Sequence, residues 1–361
     1  MGEGIGFGGV YGSGLVRPQR GSSIVVGHES ALRFWVNVRR SNAGMTKELL
    51  GELYPDDMLA SIDTESVWAD CSLLPLELPH DVAPRIAHAS AALGLDGPLD
   101  IVVGKDSARR ASAGARCHVW KGPVPDGLIC CPEPGVYVVA PEVALMQVAS
   151  GLGFYKTLAL AMELCGTYSC DGVRGCEYGV VPVTTAARIG HLVSIVGRIR
   201  GLDAARQAAR CCMDNSASPR ETALAAMLSL PRRLGGWGCP RPELNVKIEL
   251  SESAAHQCGR SHLVADLLYR RAKLDIEYQG KEWHTADEGR SRDEARQNAL
   301  MQMGYSCVFV AARQIADESK VDGIAELIKR KSGLRPERTE ANEQMMARRA
   351  EMLAALGICD L

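Results

Sequence analysis

Two acidic residues flanking a short basic turn are the chain's clearest candidates for chemistry. The stretch His262–His284 reads HLVADLLYRRAKLDIEYQGKEWH. Its spacing predicts two strands, Leu263–Tyr269 and Leu274–Gln279, joined through Arg270, Arg271, Ala272 and Lys273. Side chains alternate along a strand, so Leu274, Ile276 and Tyr278 share one face and Asp275, Glu277 and Gln279 the other. A turn centred between Arg271 and Ala272 sets Asp266 directly opposite Glu277. Opposed side chains on paired strands have Cβ atoms roughly 4.5–5.5 Å apart. Carboxylates that close repel unless a proton or a cation lies between them. Asp266 also interrupts an apolar run, Leu263-Val264-Ala265 before it and Leu267-Leu268 after it, where an unpaired charge is costly. A divalent cation held by Asp266 and Glu277, Mg²⁺ or Mn²⁺, answers both problems with hard oxygen ligands. The plainer alternative makes Asp275, Glu277 and Gln279 the wet face of a half-exposed strand.

Downstream come Gly280, Trp283 and His284, then an arginine-rich helical run, Arg290 to Leu300. Gly304 stands where a helix C-cap is expected, ahead of an apolar strand, Tyr305–Ala311. This order resembles the Vsr-like endonuclease-fold domains among the PD-(D/E)xK nucleases, whose usual reading is D…EYDG…H…RD…R…L…GW. Asp266, Glu277, Gly280, His284, Asp293, Arg296, Leu300 and Gly304 stand at the matching places. The resemblance implies a restriction-endonuclease-like mixed sheet flanked by helices and metal-dependent hydrolysis of phosphodiesters in DNA. Asp266 and Glu277 are then the metal ligands, and the ion polarises the phosphate and acidifies a bound water. His284 serves as general base or phosphate hydrogen-bond donor. Glu221, on the helix before the first strand, leans into the metal site. Arg270, Arg271 and Lys273 at the turn, with Arg292 and Arg296 on the helix, pair with backbone phosphates. Gln279 departs from the pattern, because that family has Asp there and other nucleases of the fold have Lys. Glutamine carries no charge with which to orient a water or stabilise an anion. That departure favours a second reading, a DNA-binding regulator that keeps the fold without cutting. An interaction module with no nucleic-acid role is the third.

The elements that must position these residues are legible around them. Ser218-Pro219-Arg220-Glu221 is a capping box with Pro at the first helical position, starting a helix Thr222–Leu230. Capping alone is a sufficient role for Glu221, and the two roles are compatible. A loop from Gly235 to Pro240 leads to a strand Glu243–Leu250, and a last helix spans Val321–Lys331. Residues 213–333 therefore read helix, strand, hairpin, helix, strand, helix, a mixed sheet with flanking helices. Residues 334–361 are charged and helix-forming, docked or solvated.

The N-terminal part, 21–212, reads as α+β, giving an α/β chain overall. Ser23–Val26 is a short strand, and Ala31–Arg39 is helical, either a degenerate DNA-binding helix or a packing element. Leu99–Val103, Cys117–Trp120 and Gly135–Val139 are strands, and Pro141 starts a helix that reaches Leu152. Over residues 95–170 the run LDIVVGKDSARR…CHVWKGPVP…VYVVAPEVALMQVAS…ELCGTYS resembles the body domain of AbiEi-type proteins, the antitoxin-side members of abortive-infection systems. It implies a regulatory, DNA-linked role. Arg109 and Arg110 are either phosphate contacts or a solvated basic turn. Residues 184–212 read as one amphipathic helix or a broken pair, and the glycine-dense residues 1–20 as a mobile tail without the elements of a phosphate loop.

Composition sets the remaining bounds. At 361 residues the chain holds two domains, and 46% hydrophobic content supports real cores. A net charge of −2 makes any nucleic-acid surface local. Thirteen cysteines, with vicinal pairs at 130–131 and 211–212 and no CxxC, read as reduced thiols of a cytoplasmic protein. The Cys165, Cys170 and Cys176 spacing does not match common zinc knuckles. No apolar run approaches the roughly 20 residues that span a bilayer, and no signal peptide is legible. The partners expected are DNA, and either a second copy of the chain or a toxin–antitoxin partner.

Overall fold

A computed structural model describes residues 23–41, 78, 80–122, 128–172, 174–196, 201–279, 287–335 and 342–358, with the backbone alone at 41 and 287–293. The fold is mixed α/β. Its contacts divide the chain into two units. The first runs to Cys165 and takes in Ser169–Cys212; the second comprises Gly166–Tyr168 and everything from Met213 onward.

In the first unit the elements run β1 (Ile24–Val26), α1 (His28–Ser41), α2 (Val82–Leu93), β2 (Leu99–Val103), β3 (Ala115–Val119), β4 (Ile129–Glu133), β5 (Val136–Val139), α3 (Pro141–Leu164), β6 (Tyr168–Asp171), β7 (Gly175–Tyr178), α4 (Ala186–Ile195) and α5 (Asp203–Cys211). The main sheet has the order β3-β2-β1-β5-β4. β1 is parallel to β5 and β2 to β3, while β1/β2 and β4/β5 are antiparallel. The central strands are near-continuous apolar runs, IVV, LDIVV and VYVV, buried throughout, as strands covered on both faces require. α1 packs through one face. Trp35 is 1% exposed and its indole N–H donates to the Val139 carbonyl, while the buried Arg39 donates to the Glu163 carbonyl. The expected amphipathic stretch is a broken pair, α4 and α5.

α3 runs to Leu164, beyond the expected end, and by length and composition alone it could cross a membrane. It is broken at Gly153 (φ 73°, ψ 177°), and fourteen of its residues, including the charged Glu142, are buried inside the protein. Cys170 and Cys176 are not reduced thiols: they form a disulfide across the β6–β7 hairpin.

The second unit runs α6 (Pro219–Ser229), β8 (Glu243–Glu249), α7 (Glu252–Cys258), β9 (His262–Tyr269), β10 (Leu274–Gln279), α8 (Asp287–Gln302), β11 (Ser306–Ala311), α9 (Ala312–Ile315), α10 (Glu318–Lys331) and α11 (Glu343–Ala355). The sheet order is β11-β10-β9-β8. β8, β9 and β10 form an antiparallel meander, and β11 lies parallel to β10. A parallel neighbour requires a crossover, and α8 supplies it. α8 ends where Gly304 takes φ 77°, with Gly304 N–H donating to Met301 O and Tyr305 N–H to Leu300 O, a Schellman cap.

The C-terminal helix is docked. Met345 and Met352 are buried, and the Arg349 guanidinium stacks 3.9 Å from the Trp237 ring centroid while donating to Gly235 O and Glu318. The loop beneath is tightly fixed. A Cβ on Gly236 would sit 2.2 Å from the Leu230 carbonyl oxygen, a backbone atom with no rotamer to yield. Gly236→Ala is therefore expected to destabilise the second unit by more than about 2 kcal/mol, read as a lowered urea midpoint. An unchanged midpoint would mean the loop has slack.

Candidate functional site

The β9–β10 hairpin turns through a single 3-10 turn, Arg270–Ala272, and Lys273 takes the left-handed conformation (φ 47°) to re-enter the sheet. The pairing is Leu274 with Tyr269, Asp275 with Leu268 and Ile276 with Leu267. One more step in this register sets Glu277 against Asp266. The two are in contact: the Asp266 backbone N–H donates to Glu277 Oε1 at 3.3 Å, and the Tyr278 N–H donates to Asp266 Oδ2 at 2.8 Å. On the other flank, the pairs Leu244–Leu267 and Val246–Ala265 set Asn245 against Asp266. Asn245 adopts φ 48° and its amide donates to Glu221 Oε2 at 2.6 Å.

Glu221 sits in the cap as expected, although its carboxylate takes the Ala217 N–H rather than the Ser218 N–H of a capping box. Ser218 Oγ accepts from the Glu221 N–H and donates to Glu221 Oε1 at 2.9 Å, while Oε2 also accepts from the Ala217 N–H. The same carboxylate lies close enough for its charge to act on Asp266.

Asp275 is the residue that the sequence reading passed over. Its strand face is not wet. Asp275 is 0% exposed, and its Oδ1 is buried without an N–H donor. From α8, Arg296 reaches over this face, donating to Glu277 Oε1, to the Val264 carbonyl and, at 3.4 Å, to Asp275 Oδ2. On β11, Cys307 pairs in register with Asp275.

The electrostatics follow from three acids, Asp266, Asp275 and Glu277, around one guanidinium, with Glu221 nearby. Burial pushes Asp266 up to about 8, with the Glu277 and Glu221 charges adding to it. Burial and the Asp275 charge push Glu277 up to about 9. Asp275 is raised as well, chiefly by burial. Burial opposes the charge on Arg296, but Glu277 and Asp275 hold it protonated. Near neutral pH the site therefore holds protons where exposed carboxylates would be bare.

Arg270 is exposed and forked onto Glu243, with contacts of 2.6 to 3.1 Å. Arg271 and Lys273 are exposed. At about 3.3 Å per residue, these turn cations lie on the order of 13 Å along the strand from Glu277. Gln279 is half-buried at the end of β10, paired with Ala311. His284 and the side chains of Arg292 and Asp293 lie outside the described residues.

Among the described residues, no three His, Cys, Asp or Glu side chains stand together as a ready metal cage. The donor set nevertheless suits a hard divalent ion: all oxygen, more acid than base, and one buried carboxylate oxygen without an N–H donor.

A second polar cluster, in the first unit, also escaped the sequence reading. Asp100 (2% exposed) accepts from the Ser30 N–H and hydroxyl, from Arg116 at 2.7 and 3.0 Å, and from His118 Nε2 at 2.8 Å. Burial works against its charge, but these donors outweigh burial and hold the carboxyl well below the usual range. His28 stacks on His118 with ring centroids 3.8 Å apart. The carboxylate ties the N-terminus of α1 to β2 and β3.

Comparison of the chain with protein-family models, with curated proteins and with solved structures finds no match in any of the three.

Proposed function

We propose that the second unit is a metal-dependent endonuclease domain of the Vsr-like, PD-(D/E)xK type, hydrolysing phosphodiester bonds in DNA. The observation that carries this reading is Asp266 set against Glu277 across β9 and β10, with too little positive charge around them. The element order supports it: a helix, a three-stranded meander, a crossover helix and a parallel strand form the mixed sheet that the resemblance implies. Asp266 and Glu277 would hold Mg²⁺ or Mn²⁺, which when bound supplies Lewis-acid activation of the phosphate and a more acidic water. Asn245, opposite Asp266 on β8, holds the Glu221 carboxylate on that flank. Arg271 and Lys273 contact phosphates away from the scissile bond, holding the duplex without reading its sequence. His284 takes the role of base or phosphate donor. The first unit is then the AbiEi-like regulatory part. Action on DNA fits a cytoplasmic protein working as a homodimer or with a toxin–antitoxin partner.

A second reading keeps the DNA and drops the cleavage. It is favoured by Gln279 in place of an ionic residue, and by Arg296 already paired with Glu277. Supercoiled plasmid incubated with the full chain separates the two. Nicking that needs Mg²⁺ or Mn²⁺ and stops with EDTA supports the nuclease. Binding that falls steeply with salt, without nicking, supports the regulator. Neither behaviour from folded protein would remove both.

A further inference from the structure

We infer that Arg296 is the resident cation of the acidic site, that a divalent cation displaces it, and that Asp275 then becomes a third carboxylate ligand of that ion. The inference rests on the metal-dependent reading above and goes beyond it in assigning Asp275 and in making Arg296 a competitor of the metal.

The guanidinium sits poorly where it is. One terminal nitrogen of Arg296 faces three acceptors: the Val264 carbonyl, Glu277 Oε1 and Asp275 Oδ2. That nitrogen has two protons for three acceptors and cannot meet them all at once, although Glu277 Oε1 also accepts from the Asp266 N–H. Meanwhile the Arg296 Nε–H is buried with no partner, and Asp275 Oδ1 is buried with no N–H donor, the Asp275 carboxyl lying against that of Glu277. Arginine binds carboxylates best as a fork, two N–H groups onto two oxygens. Here it meets Glu277 and Asp275 through a single nitrogen. Each unsatisfied buried group has a desolvation penalty.

A compact divalent ion has none of these geometric limits, because hard oxygen ligands can gather around it from several directions. Asp275 is then the natural addition. It shares the strand face of Glu277, is fully buried, and has the oxygen that lacks an N–H donor. The released guanidinium remains on α8, beside the ion's acids, free to meet a phosphate carried by nucleic acid.

The test is Mn²⁺ binding to the full chain without DNA, followed by calorimetry and by the electron paramagnetic resonance of free Mn²⁺. Arg296→Gln is expected to tighten Mn²⁺ at least 10-fold, and Asp275→Asn to weaken it at least 10-fold. If the wild type binds Mn²⁺ while Arg296→Gln fails to tighten it, or Asp275→Asn binds as wild type, this inference is overturned and the metal reading stands. If neither the wild type nor the folded variants bind Mn²⁺ or Mg²⁺, the metal reading falls as well. Should Arg296→Gln not fold, the wild type answers by ¹⁵N-arginine NMR, the Arg296 signal being assigned by its loss in Arg296→Lys. Saturating Mg²⁺ is expected to move the Arg296 Nε signal, and a signal unmoved by Mg²⁺ that binds overturns the exchange.

Discussion

Asp266→Ala and Glu277→Ala are each expected to lower divalent-dependent plasmid nicking by about 10³-fold, on the order of 4 kcal/mol of transition-state stabilisation. Both residues should be required, because the ion is gripped from both strands: Asp266 is the acid that β9 supplies, and Glu277 is the one that β10 sets opposite it. Glu221→Gln should cost less. It keeps much of the cap with Ser218 and the Asn245 contact, and removes only a charge that acts on Asp266 from nearby. Gln279→Lys moves the other way. It places an ammonium at the end of β10, where nucleases of the resembled fold carry one, and is expected to raise the rate 10-fold or more. Loss in two acid variants together with gain in the lysine variant excludes a contaminating nuclease. Full activity in Asp266→Ala would end the nuclease reading, whatever the other variants did.

The hairpin was legible in the sequence because its information is local. Period-two alternation, a short basic turn and an acid inside an apolar run together fix which residues face each other, and the observed register agrees. The cap at Ser218 and the C-cap at Gly304 are equally local and equally legible. What was not legible depends on residues far apart in the chain. Alternation places Asp275 beside Glu277, but nothing near Asp275 says that Arg296, 21 residues later, will reach over that face. Asn245 opposes Asp266 only once β8 is paired, and α7 between them had not been anticipated. The docking of α11 depends on Trp237, more than a hundred residues upstream. The disulfide needed the β6–β7 hairpin to bring Cys170 and Cys176 together. Asp100 is the instructive omission. It interrupts the run Leu99–Val103 as Asp266 interrupts its own, and the same argument from a charge in an apolar strand would have marked it.

The acidic site should also make the metal-free protein less stable as the pH rises. In the unfolded chain Asp and Glu titrate near about 3.9 and 4.3. In the folded chain burial and neighbouring acids raise Asp266 to about 8 and Glu277 to about 9. Between those limits the folded state binds more protons than the unfolded state, so unfolding releases protons and stability falls with increasing pH. The slope for one group is at most about 1.4 kcal/mol per pH unit. A loss of about 1 kcal/mol per unit would lower the melting temperature by roughly 2–4 °C per unit for a unit of this size. In EDTA, the melting temperature is expected to drop progressively from pH 5 to pH 9 and to level off above. Asp266→Asn with Glu277→Gln should flatten that slope, because the amides have no proton to lose. Saturating Mn²⁺ should restore stability most at pH 9, where the fewest protons compete for the ligands, and least at pH 5. Calorimetric melts of the full chain across this range provide the measurement. A metal-free stability that instead climbs from pH 5 to 9 would mean that Arg296 alone satisfies these acids as carboxylates. The site would then be a structural ion pair with no place left for a second cation.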